Sequence, residues 1–213
     1  MYMNTSNFIS LYSQKISSVR KTAYIRFDLS ERLQIINYIN LVTSLLLTTY
    51  LAGWAIFIAF FPESLSASDR NIVSYIAVMA TIALMLLTAL DYVADRSLKA
   101  KIFLDSGNDL LQIADDLEYA VNQGNQDHSL KVLIDNYNSH LKECPLNHSA
   151  EDYKFYMLKQ ERRASKGFKK SVCSSAALLT FAFMYYAKRT SLQFLVAAMV
   201  VIPTLSMVSK ITL

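Results

Sequence analysis

Charged side chains vanish from two long stretches of this chain. None occurs between Leu33 and Phe61 or between Asn71 and Leu90. A bilayer core about 30 Å thick is crossed by roughly 20 apolar residues in a helix, so either stretch is long enough to span. Two shorter charge-free runs, Ser171–Ala187 and Ser191–Ser209, flank Lys188, Arg189 and Thr190 and predict a second membrane hairpin that turns at those three residues. Elsewhere the pattern is helical. Phe8, Leu11, Tyr12, Ile16 and Val19 recur at spacings of three and four, the mark of an amphipathic helix. Asp28 and Glu31 have the spacing of a capping box, which predicts that the first membrane helix starts near Leu29. Leu98, Ile102, Leu110, Leu111, Ile113 and Leu117 predict a helix ending near Gly124. Leu130, Leu133, Tyr137 and Leu141 predict a shorter one that stops before Pro145, and Ser149 with Asp152 predicts a third, running toward Gly167. No segment alternates like a strand. The expected fold is all-α: an integral membrane protein with an N-terminal amphipathic helix (1–28), a first transmembrane hairpin (29–93), a cytoplasmic helical domain (94–170) and a C-terminal transmembrane hairpin (171–209).

Composition changes the picture only by excluding alternatives. With 53% hydrophobic and 18% charged residues, the 213-residue chain is too apolar for an ordinary water-soluble domain. The net charge of +4 carries no basic stripe and no stacking motif for nucleic acid, and direct nucleic-acid binding is not expected. Lys and Arg crowd the first 32 residues and the segment Asp91–Lys170, whereas the loop Pro62–Arg70 holds Arg70 alone. The positive-inside rule then places the N-terminus and the middle domain in the cytoplasm, and four spans bring the C-terminus back inside. Lys188 and Arg189 are the dissenters, since that topology puts them outside. A re-entrant C-terminal hairpin is the competing arrangement.

Chemistry is sparse. Cys144 and Cys173 fit no disulfide framework or redox motif. His140, Cys144 and His148 are spaced by four, but Pro145 interrupts the helix that would align them on a metal, so no metal is expected. The cluster Asp115, Asp116 and Glu118 lacks a His, Ser or Gly-rich loop to make it catalytic, and four glycines are too few for a phosphate cradle. Neither an enzyme nor a cofactor is expected.

The spans themselves carry the remaining candidates. Ser74, Thr81, Thr88, Asp91 and Asp95 share one face of the second span, and Asn37, Asn40, Ser44 and Thr48 share one face of the first. Such faces could line a wet path with an acidic inner mouth that favours cations. Membrane helices use the same residue types to pack closely against one another, so pore lining and helix packing both stand open.

Taken together, the basic amphipathic start, the Ser30-Glu31-Arg32-Leu33 lead into a long span, the short outer loop, the second span and the segment Asn147-His148-Ser149-Ala150-Glu151-Asp152-Tyr153 resemble the SLATT domains over residues 15–170. Those are two-span membrane effectors of bacterial conflict systems, found beside nucleotide-second-messenger synthases, SLOG sensors or reverse transcriptases; the type associated with reverse transcriptases is the most similar. The resemblance implies an effector of the bacterial inner membrane that, once a partner sensor fires, forms a homo-oligomeric pore in the lipid bilayer and arrests an infected cell. The C-terminal hairpin departs from the two-span core. A silent membrane scaffold that recruits a cytoplasmic partner is the second reading, and a small transporter the third, weakened by the lack of paired charges or broken helices within the spans.

Overall fold

The computed structural model describes residues 5–61, 63, 66–123, 127–165 and 168–211. Among the described residues six helices follow one another: α1 Thr5–Phe60, α2 Ala67–Ala94, α3 Arg96–Asn122, α4 Asp127–Glu143, α5 Ala150–Ala164 and α6 Phe168–Ile211. No strand occurs among the described residues, so the all-α expectation holds. The chain divides into two compact units. A polar unit comprises Met1–Gln34 with Ser97–Phe181, and an apolar unit comprises Ile35–Arg96 with Ala182–Leu213.

Local chemistry explains several helix ends. Ser66 accepts a hydrogen bond from the Asp69 amide at 3.1 Å and starts α2, with the Asp69 carboxylate in the first turn where the helix dipole favours it. Asp95 ends α2 in the left-handed region at φ 46°, a conformation that Asp tolerates better than most residues. α4 stops at Glu143, two residues before Pro145, and α5 opens with the Ser149–Asp152 capping box that the sequence predicts.

Two expectations fail. α1 is continuous for 56 residues, with no helix start at Asp28 and Glu31. Those carboxylates are engaged by cations instead of by free backbone amides, because inside a helix every amide is already bonded to the carbonyl four residues back. Likewise α6 is one helix of 44 residues that passes straight through Lys188, Arg189 and Thr190, so the C-terminal hairpin does not form. Charge alone does not break a helix; Lys and Arg are good helix formers, and the one breaker in α6, Pro203, lies far beyond them. Phe8 and Leu11 of the amphipathic stripe, together with Gly124 and Gly167, fall outside the described residues or side chains.

The polar unit closes around Val19 and Ala23 of α1, Leu110, Ala114 and Leu117 of α3, and Leu130 and Tyr137 of α4. Leu98, expected in the α3 stripe, is exposed, and the buried face runs instead through Ala100, Phe103 and Gly107. At Gly107 α3 lies close against Phe27 of α1: a Cβ there would lie 2.6 and 2.9 Å from ring carbons of Phe27. Gly107→Leu should therefore lower stability by about 1–3 kcal/mol through overpacking, despite leucine's better helix propensity, with Gly107→Ala in between. Thermal unfolding in detergent checks this, and an unchanged midpoint for Gly107→Leu would refute the close approach.

Candidate functional site

Among the described residues each unit carries a buried polar cluster. In the polar unit it is built on the last turns of α1 before the charge-free stretch. Arg32 is 2% exposed and is held by Asp28 at 3.1 Å, one turn back, and by Asp152 of α5 at 3.0 Å. Its guanidinium also lies 4.5 Å over the Phe155 ring. Asp152 does double duty, since its other oxygen accepts from the Ser149 amide at 2.9 Å to close the capping box. Lys159, two turns along α5, reaches Asp28 at 2.7 Å and Glu31 at 3.3 Å. Burial pulls the Lys159 ammonium down, but the Asp28 hydrogen bond and charge, with Glu31, outweigh it and leave the group above the usual lysine range. Ser30 donates to the Ala100 carbonyl at 2.7 Å and ties α1 to α3.

A second limb starts at Arg26, also 2% exposed, which donates to the Ser106 hydroxyl. Ser106 in turn meets His140 Nε2 at 2.7 Å. The other ring nitrogen of His140, Nδ1, lies 3.9 Å from the Asp109 carboxylate. His148 is pushed below the usual histidine value by burial and by the Arg26 charge, with Asp152 opposing. The three residues weighed as metal ligands have different immediate partners: His140 meets Ser106, the Cys144 thiol donates to the Leu146 carbonyl at 3.2 Å, and His148 feels the Arg26 charge.

In the apolar unit the cluster centres on Asp91 of α2. Asn40 of α1 donates to one carboxylate oxygen at 3.0 Å, Gln193 of α6 donates to the other at 2.8 Å, and Arg96 pairs with the first. Only the amide NH2 groups can donate to a carboxylate, which fixes the orientation of both amides. Sequence pattern singles out Asn40 and Asp91 but not Gln193 and Arg96. The signal for Gln193 is the lone amide within a charge-free run.

The remaining span candidates separate. Thr48, Thr81 and Thr88 come together on an outward groove of about 970 Å³ between α1 and α2, floored by small residues such as Ala52, Ala55 and Ala77. Each hydroxyl is bonded to the carbonyl four residues back in its own helix, at 2.8 Å. Ser74 and Asn37 are exposed and Ser44 half-buried, all away from that groove. Asp95 is exposed at the α2–α3 junction.

α1 and α2 are long and apolar enough to cross a membrane. The sequence profile of the SMODS and SLOG-associating 2TM effector domain family 5 matches residues 10–208. The chain belongs to this SLATT family. It is accordingly a membrane protein, and the family implies a two-span effector of defence systems. No curated protein and no solved structure matches the chain. The two segments on which the SLATT resemblance rests, around Ser30–Leu33 and Asn147–Tyr153, are joined physically by the Arg32–Asp152 pair.

Two tests follow from the polar cluster. Removing one partner of a buried pair leaves the other charge unmatched, at about 3–5 kcal/mol. Asp152→Ala should therefore lower the melting temperature more than Asp152→Ala with Arg32→Met, and additive losses in a double-mutant cycle would rule out the coupling. His148 has its pKa lowered by folding, so the unfolded chain binds its proton more readily below about pH 6.5; stability should fall as pH drops through that value toward the folded pKa. His148→Gln should flatten this part of the pH–stability curve.

Proposed function

We propose that this chain is the membrane-acting component of a bacterial defence system, which assembles in the inner membrane and depolarises it once a partner sensor signals. The polar unit faces the cytoplasm in this reading, as the concentration of Lys and Arg in the N-terminal segment and in Asp91–Lys170 favours. The partner is of the kinds found beside SLATT proteins: a reverse transcriptase, a nucleotide-second-messenger synthase or a SLOG protein.

One observation supports assembly most directly. The outer face of the apolar unit is dominated by side chains such as Leu41, Leu45, Leu46 and Leu86, well suited to lipid. Against that background the groove brings Thr48, Thr81 and Thr88 together with Ala52, Ala55 and Ala77, between larger side chains such as Leu51 and Met85. Lipid tails fill such a groove poorly, whereas a neighbouring helix packs into it closely, and hydroxyls that hide their protons on their own backbone can turn toward water at little cost. In an oligomer the same strip supplies either the contact or the wall of a wet path. Asp91 is spent on Arg96, Asn40 and Gln193, so cation preference at the mouth of such a path rests on Asp95.

The double variant Thr81→Leu, Thr88→Leu separates wall from contact. Depolarisation after triggering, normalised to membrane-inserted oligomer, should be lost while assembly persists. Full depolarisation at normal assembly would remove the second span from the wall, and loss of assembly would make the groove a packing surface.

A further inference from the structure

The family name counts two membrane helices, yet the apolar unit is built from three. We infer that the last part of α6 crosses the bilayer as a third span, so that the N- and C-termini lie on opposite sides of the membrane.

Direction comes first. Gln193 of α6 is bonded to Asp91 of α2. The core beyond that bond contains Val196 and Val200, which follow Gln193, together with Leu87 and Ala80, which precede Asp91, and Leu47 of α1. α6 therefore runs antiparallel to α2, starting at the end of the unit where Asp91 and Arg96 lie and heading toward the end where Phe61 and Ser66 bound the α1–α2 loop.

Length and face come next. From Thr190 to Ser209 no residue is charged, about 20 residues or roughly 30 Å of helix, enough to span. Gln193, Val196 and Val200 form a face buried at 9% exposure or less, while Phe194, Leu195, Met199 and Ile202 point outward at 51% or more. In water the outward face of such a helix is polar; a helix apolar on its outer face as well is surrounded by hydrocarbon. The outer faces of α1 and α2 in the same bundle are of the same kind, which commits the occupant to lipid tails. The one amide, Gln193, meets the Asp91 carboxylate, so the cost of carrying it into the membrane is offset by a charge-assisted bond.

Charge distribution agrees. Arg189 lies one turn before Gln193, its guanidinium 3.8 Å over the Tyr185 ring, so Lys188 and Arg189 sit at the Asp91–Arg96 end of the unit. In a four-span arrangement they conflict with the positive-inside rule; with three spans only Arg70 and Lys210 of the 21 Lys and Arg fall on the far side.

The test uses the full chain with Cys144→Ser and Cys173→Ser, carrying either Thr5→Cys or Thr212→Cys, in spheroplasts of a bacterial host treated with a membrane-impermeant maleimide. Thr212→Cys should label in intact spheroplasts and Thr5→Cys only after permeabilisation. Opposite labelling in the reverse sense keeps three spans and overturns the cytoplasmic placement of the polar unit, whereas equal labelling of the two positions overturns the third span. Fusions of alkaline phosphatase and of green fluorescent protein after Leu213 of the unsubstituted chain give a second readout: an active phosphatase with a dark fluorescent protein is expected, and the converse would overturn the inference unless the Ser66 loop is also found inside. That exception is settled by the same phosphatase fused at Ser66, and agreement between the two fusion sites is itself the three-span result.

Discussion

Arg32 is the residue on which the polar unit turns. A guanidinium in the interior forgoes hydration worth several kcal/mol and stays there only if carboxylates replace the water. Asp28 lies in place by helix geometry, one turn earlier, but Asp152 belongs to a separate helix and must be delivered. The capping box does that: Ser149 fixes where α5 begins, the third residue of the helix is then Asp152, and its two oxygens divide between the α5 N-terminus and Arg32. A well-packed apolar trio of equal volume could hold α1 and α5 as firmly. What the charged version adds is register, because only one rotation and one starting point of α5 bring Asp152 to Arg32 and Lys159 to Asp28 together.

How much of this was legible in the chain depends on whether a signal is local. The Ser149–Asp152 spacing is local and its helix starts where expected. Asp28–Glu31 has the same spacing and means something else, since one of its claimants is Arg32 on the next turn and the other, Lys159, is 131 residues away. The turn expected at Lys188–Thr190 rests on two charges dividing two apolar runs, and charges divide runs without ending helices. The all-α class, the two long apolar helices and the family are carried by pattern and survive. Gln193 is the reverse case: its significance rests on a carboxylate 102 residues earlier, and only the packing of α6 against α2 reveals it.

The candidate stripes were half legible for a related reason. Helical spacing puts Thr81 and Thr88 on one face of α2, and the packing of α1 brings Thr48 to the same groove, but periodicity cannot say which polar groups the fold consumes. Asn40 and Asp91 are consumed inside the bundle, bonded to each other, whereas the threonines satisfy themselves on their own backbone and remain on the outside.

That division has a physical logic for a protein that must be stable in lipid before it acts. A free carboxylate on the outer surface of an apolar bundle is costly in hydrocarbon, so Asp91 is neutralised by Arg96 and wrapped by two amides. A threonine whose hydroxyl is bonded to the preceding turn presents little more than a methyl group and is tolerated by lipid, by a packed neighbour or by water. A surface built this way does not force assembly and does not forbid it. In the proposed mechanism the sign of that balance is set by what the polar unit receives, and a modest change in association free energy suffices, since each step of about 1.4 kcal/mol shifts the equilibrium about tenfold.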